Sequence, residues 1–379
     1  MIERSIAEPD RNFILIVPDQ FTMQAQMQLI REHPDHAIMN IDALSFGRLT
    51  HRVLEETGAE GTPVLDDTGK SLILRHIAGE VSGDLPVLGR NISRIGYVHE
   101  IKSAISEFML YGIGTDDIEE IKKSEGISGQ LREKLTELSS LYAAFRAQLG
   151  SDYITKEEKM TLLADNISKS DIIRGSVIAF DGFTGFTPLQ LRVIGELLKQ
   201  AGEVKVSLLF DTGKSPDTVC GEQELFHMSS DTMQKLRRLA DETGTELLPE
   251  VLLEDGAGQG RFEGSPELRH LERNLFRYPY KVYSARPQNI HLTEAPTVHD
   301  EIRKTCMMIR KMIRTSPELR YSDIAVVSGN LSEYADELET VFADSDIPVY
   351  MDQAWAILLN LFREGIMSAL SIIESDFAQ

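Results

Sequence analysis

Residues 13–17, Phe-Ile-Leu-Ile-Val, form an unbroken apolar run closed by Pro18. A strand with one wet face alternates apolar and polar residues. A continuous run is apolar on both faces, the condition of a strand in a parallel sheet covered by helices on both sides. This run therefore predicts an α/β fold. Val177-Ile178-Ala179-Phe180 has the same character, and Val204 to Phe210 follows it, with a helix predicted over Leu189–Ala201 between them. Two apolar strands joined by a helix of that length make a βαβ crossover. Nearer the N-terminus, a helix is predicted from Gln20 to about Glu32. A second strand is predicted over Ile38–Ile41 and a helix over Phe46–Thr57.

Between Leu65 and Thr161 the period changes. SLILRHIAGEV, YVHEIKSAISEFMLYG and LREKLTELSSLYAAFRAQL place apolar residues at helical spacing, with no strand signal between them. We read residues 61–164 as a helical insertion into a first α/β domain made of residues 1–60 and 165–275. Glu254–Gly264 is rich in glycine and charge and reads as a linker. A second α/β unit is predicted over 285–355. Its strands are expected at Ile290–Leu292, Ile324–Val327 and Val349–Met351, and its helices at Val298–Ile313 and Tyr334–Ala343. A further helix is predicted over Ile357–Glu374, within a helical region at 356–379.

The net charge of −21 argues against a free-standing nucleic-acid binder that works by neutralising phosphates, and leaves room for a local basic patch. Cys220 and Cys306 make neither a disulfide framework nor a zinc pattern and point to a reducing compartment. The polar N-terminus has no signal-peptide core, and no apolar run approaches the ~20 residues that span a bilayer. A cytoplasmic protein with no membrane contact is the expectation.

Two tetrapeptides imitate phosphate loops, Thr68-Gly69-Lys70-Ser71 and Thr212-Gly213-Lys214-Ser215. Both lack the leading glycine that lets successive backbone N–H groups wrap phosphates; Val64 and Leu208 stand in its place. A helix start and a turn are the better reading. Asp181 ends an apolar strand, where nucleotide hydrolases hold Mg²⁺ with an acid. The water-activating acid that would follow it is Gly182. The 9 histidines show no metal spacing, and His99-Glu100 does not open an HExxH motif.

DGFTGFTPLQ resembles the second motif of superfamily 1 DNA helicases. Asp181 keeps the first acid, Gly182 replaces the catalytic Glu, and Pro188 and Gln190 keep the ending. With VPDQFT, LSFGRL and the later LTEAPTVHDEIRKTCMMIRKMI and IPVYMD segments, nearly the whole chain resembles the AddB (RexB) family, the B subunits of AddAB helicase–nucleases. The resemblance implies two RecA-like P-loop-type motor domains, the first carrying the helical insertion, in a chain truncated at both ends relative to the family pattern. It implies a non-catalytic, helicase-like scaffold for double-strand break repair that reads a Chi-type hotspot in single-stranded DNA. The implied partner is an AddA-type subunit in a heterodimer. The family's C-terminal exonuclease, its Mg²⁺ and its iron–sulfur cluster would lie outside these residues, and ATP binding is left open. The family's reading positions match Gln20, Thr22, Phe46 and Arg48. His51 stands where an aromatic residue can occur, and Phe183 and Phe186 are further stacking candidates. Asp181 and Gly182 form a degenerate Walker B position. The residues also leave open an active superfamily 1 helicase or ATPase, and an interaction scaffold without DNA contact.

Overall fold

Four short parallel strands frame the N-terminal part of the chain: β1 (Phe13–Ile16), β2 (Ile41–Leu44), β3 (Val177–Phe180) and β4 (Glu203–Val206), ordered β2-β1-β3-β4. They belong to a computed structural model that describes residues 1–59, 61–81, 88, 95–124, 126–150, 152–210, 220–251, 253, 262, 264–351 and 361–374. The chain divides into two units, Met1–Glu254 and Asp255–Gln379. The Thr212–Ser215 tetrapeptide, most of the Glu254–Gly264 linker and the helix start expected at Ile357 lie outside the described residues.

In the first unit the helices, in chain order, are α1 (Ile2–Ala7), α2 (Thr22–Glu32), α3 (Phe46–Glu56), α4 (Asp67–Val81), α5 (Ile95–Tyr111), α6 (Thr115–Ile121), α7 (Gly129–Leu149), α8 (Lys156–Asn166), α9 (Pro188–Gln200) and α10 (His227–Thr243). The unbroken apolar run of β1 is buried on both faces. Phe13 packs with Leu29, Ile41, Ala43 and Val177 under α1 and α2. Ile14 and Ile16 pack with Leu49, Val53, Leu163, Ile178, Phe180 and Val193 under α3, α8 and α9.

β2 is displaced from the expected Ile38–Ile41 to Ile41–Leu44. Asn40 explains the shift. Its side-chain amide lies 3.1, 3.1 and 3.0 Å from the carbonyl oxygens of Ser5, Glu8 and Arg11, and its own carbonyl accepts from Phe13 N–H at 2.9 Å. Asn40 thus bolts the approach to the sheet, and pairing starts after it. β4 stops at Val206 rather than Phe210, because it pairs only with the four residues of β3 and Leu209 projects into solvent. Arg4 on α1 donates to Glu203 at the start of β4 and, with Lys205, holds that carboxyl below the usual carboxylate range.

α4–α7 enclose a core of their own, with Leu74, Ile77, Ile101, Ile105, Leu141 and Phe145 at its centre. The chain enters and leaves this bundle through one bridge: Leu65 N–H donates to Ile154 O at 2.8 Å, and Ile154 N–H to Pro63 O at 3.1 Å. The Thr68–Ser71 tetrapeptide lies in the first turns of α4, the helix start expected of it. Its Lys70 is 2% exposed and is bound to Glu157 on α8.

α10 turns Leu236 and Leu239 toward the sheet core, and the small residues Ser229, Ser230, Thr232 and Ala240 are its fully buried ones. Gly244 in the left-handed region ends it, the ordinary C-terminal signal. Where β4 begins, Gly202 lies against the 175 turn. A Cβ there would stand 2.8 Å from the Gly175 carbonyl oxygen, a backbone atom that cannot swing aside. Gly202→Ala is expected to destabilise the first unit by about 1–3 kcal/mol, the cost of overpacking. Urea denaturation of the variant checks this, and an unchanged midpoint would refute it.

In the second unit the described helices are α11 (Pro266–Asn274), α12 (Val298–Thr315), α13 (Leu331–Asp344) and α14 (Leu361–Glu374). Thr297 caps α12 by accepting from Asp300 N–H at 3.1 Å. Ile302, Cys306 and Ile309 of α12 pack on Leu338, Val341 and Phe342 of α13. Glu267 accepts the N–H groups of Gln288 (3.0 Å) and Asn289 (2.8 Å). Its own backbone N–H and those two hold its carboxyl below the ordinary range. The strands expected at Ile290–Leu292, Ile324–Val327 and Val349–Met351 are not formed: none is paired with another segment among the described residues. An apolar run becomes a strand only through a hydrogen-bonded neighbour, and Leu292, Val327 and Tyr350 are exposed.

Candidate nucleic-acid interface

The flush register puts all four carboxyl ends of the strands on one edge. Leu44, Ile16, Phe180 and Val206 lie side by side. One residue further, Val17, Asp181 and Ser207 donate their N–H groups to the Leu44, Ile16 and Phe180 carbonyls, each at 2.9 Å. From β1 the chain goes to β2 on one side and later returns to β3 on the other. The crevice outside such a reversal is where open α/β sheets take ligands.

Beyond β1, Pro18 stops the strand and Asp19–Phe21 makes a single 3-10 turn. Gln20 is exposed on that turn. Thr22 is buried, its hydroxyl donating to Asp19 O at 3.0 Å to close the turn. Phe21, between them, is 44% exposed, and the sequence patterns above do not single it out. Its only signal is an aromatic beside a polar residue at a strand exit.

Beyond β2, Ser45 caps α3 by accepting from Arg48 N–H at 3.4 Å. Phe46 turns inward and is 8% exposed. Arg48, in the first turn, is exposed, and its guanidinium meets no acidic group among the described residues. Its neighbours differ: Arg52 pairs with Asp42 at 2.6 Å and His51 with Glu55 at 3.6 Å. Gln20 and Arg48 each follow, at the same offset, one of the paired residues Ile16 and Leu44, so adjacent strands present them at one edge.

Beyond β3, the Asp181 carboxylate is exposed and accepts the hydroxyl of Ser207 at the end of β4. Gly182 has φ +79°, and a Cβ there would stand 3.4 Å from Pro18 Cδ. The β3 exit therefore leans on the β1 exit, and the left-handed backbone favours glycine. Phe183 and Phe186 are partly buried, 5.1 Å apart between ring centres. Phe46 lies 5.7 Å from Phe183 and 6.4 Å from Phe186, and Phe180 lies 5.6 Å from Phe186, mostly edge to face. Thr232 on α10 donates to Thr184 O at 3.2 Å and holds the turn from behind. Thr187 and Gln190 form a capping box at 2.9 and 3.3 Å, the role of the Thr-Pro-x-Gln text.

The edge thus presents an amide, a guanidinium with no acidic partner among the described residues, and an aromatic face over a phenylalanine wall. Gln and Arg can bond base edges bidentately, and aromatic faces stack on bases. Among the described residues no group of three or more His, Cys, Asp or Glu side chains is placed to hold a metal ion. No helix among them is long and apolar enough to cross a membrane.

Residues 1–272 match the family described as ADDB, N-terminal. The chain is 38% identical over 379 residues to a protein of Lachnoclostridium phytofermentans named as the B subunit of an ATP-dependent helicase/deoxyribonuclease, covering 100% of this chain and 33% of that one. It is 33% identical over 359 residues to the protein of the same name from Acetivibrio thermocellus, covering 95% and 31%. A Thermoanaerobacter protein of that name is 34% identical over 339 residues, covering 89% and 29%. The chain spans about a third of the length of these curated relatives.

Proposed function

The chain belongs to the AddB N-terminal family, and from that membership we propose that it is a non-catalytic, helicase-like scaffold that reads single-stranded DNA at the carboxyl edge of its sheet. It would do so beside an AddA-type helicase–nuclease partner, scanning for a Chi-type hotspot during double-strand break repair. We read the second unit, with its order α12, Ile324–Val327, α13, Val349–Met351, as the second motor-like half.

The observation that carries this reading is Arg48. It is exposed, without an acidic partner among the described residues, and set at the edge where Gln20 also projects. Arg48 is thus left open to a ligand, whereas Arg52, one turn on, is held by Asp42. Arg48 would meet a base edge, Gln20 a second base, and Phe21 would offer a stacking face. Thr22 and Phe46 would support them from below, Phe183 and Phe186 would line the rim, and His51 would flank it. At the degenerate Walker B position, Gly182 offers no group to activate water, and the Asp181 carboxylate is engaged by Ser207. Both favour a reader over an active ATPase.

Arg48→Ala should reduce discrimination between single-stranded oligonucleotides of different sequence by about 1–3 kcal/mol, with a smaller loss of general affinity. Fluorescence anisotropy across several sequences and a salt series measures both. Equal weakening on every sequence would make Arg48 a phosphate contact and remove base reading from this edge.

A further inference from the structure

α12 concentrates positive charge in a chain of net charge −21. From Ile302 to Thr315 there is no acidic residue, while Arg303, Lys304, Arg310, Lys311 and Arg314 fall within the same stretch. The acids of this helix, Asp300 and Glu301, sit in its first turn. Ile302, Cys306 and Ile309 face α13. At about 100° per residue, Arg303, Arg310 and Arg314 then share one stripe on the flank, with Lys311 beside it. All four are exposed, and among the described residues none has an acidic partner. Met307, 57% exposed, lies between Arg303 and Arg310 along that stripe. The neighbouring helix holds the opposite sign, with Glu333, Asp336, Glu337 and Glu339, and its Glu337 is engaged by His299.

We propose that the outer stripe of α12 is a sequence-independent contact for the phosphate backbone of a nucleic-acid strand. This rests on the reading that the chain works on DNA, and it adds a second contact outside the base-reading edge. At a rise of about 1.5 Å per residue, Arg303 and Arg310 lie about 10 Å apart along the axis and Arg310 and Arg314 about 6 Å. A stacked strand carries a phosphate about every 3.4 Å, so the stripe spans several phosphates. Guanidiniums without an acidic partner among the described residues give the strand a place to land in an acidic molecule, and the exposed Met307 offers adaptable apolar surface to sugars and bases.

The test uses the full chain and a labelled oligothymidylate, which has no purine for the Gln20 and Arg48 edge to select. Single-strand affinity falls with salt at a log–log slope of about −0.7 per neutralised phosphate. The triple variant Arg303→Gln/Arg310→Gln/Arg314→Gln should lose about 2 from the magnitude of that slope and bind at least about tenfold more weakly at low salt. Far-UV circular dichroism checks its folding. Should it misfold, the single variants Arg310→Gln and Arg314→Gln should each lose about 0.7. An unchanged slope in folded variants overturns the proposal and leaves the cations as a solvated face. Absence of any binding at low salt overturns it as well, and points to an acidic protein surface as the partner. Sequence preference without an α12 effect would sink this inference alone. An α12 effect without sequence preference would sink the base-reading edge alone.

Discussion

Lys70→Met is expected to destabilise the first unit by about 3–5 kcal/mol, because it leaves a carboxylate without its cation in a largely dry place. Lys70 Nζ lies 2.9 and 2.8 Å from the two Glu157 oxygens and 3.2 Å from Ser106 Oγ. The lysine side chain is 2% exposed and the glutamate 13%. Such a pair adds little over a well-packed apolar pair, but either half alone is costly. The double variant Lys70→Met/Glu157→Leu should therefore recover most of the loss. Urea denaturation followed by circular dichroism reads both. A cost for Lys70→Met below about 1 kcal/mol, or a double variant no better than the single, would show that water reaches the pair.

Phe180→Ala should cost a similar amount, about 3–5 kcal/mol, through lost burial and the cavity left behind. Phe180 is 1% exposed and touches three other phenylalanine rings, Phe46, Phe183 and Phe186. It also backs the turn that carries Asp181 to Phe186, so the base-reading proposed for that edge should weaken along with stability. Phe186→Ala, at a ring only partly buried, should cost clearly less. Equal costs for the two would mean that the ring cluster does not centre on Phe180.

Those two variants fall on residues of different legibility. Phe180 stands in a continuous apolar run, and its burial follows from that pattern alone. Lys70 sits in a tetrapeptide that imitates a phosphate loop, and nothing near it in sequence announces Glu157. The same contrast runs through the site. VPDQFT and LSFGRL each follow a predicted strand, so their place near the carboxyl ends of the sheet was legible. Whether each side chain there faces solvent was not. Phe46 turns inward while Phe21 stays out, and among the described residues Arg48 has no acidic partner while Arg52 holds Asp42.

By itself the sequence determined the α/β class of the first unit, the two-sided burial of β1 and β3, and the helical run between β2 and β3. Each depends on periodicity. Tertiary structure alone decided where β2 begins, because Asn40 is bolted to carbonyls far from it in sequence. It also decided that three apolar runs in the second unit remain unpaired among the described residues, because a strand is defined by its neighbour. The partner of Lys70 and the isolation of Arg48 were settled in the same way: an ion pair depends on distance in space, and a local pattern carries no record of what the folded chain brings alongside.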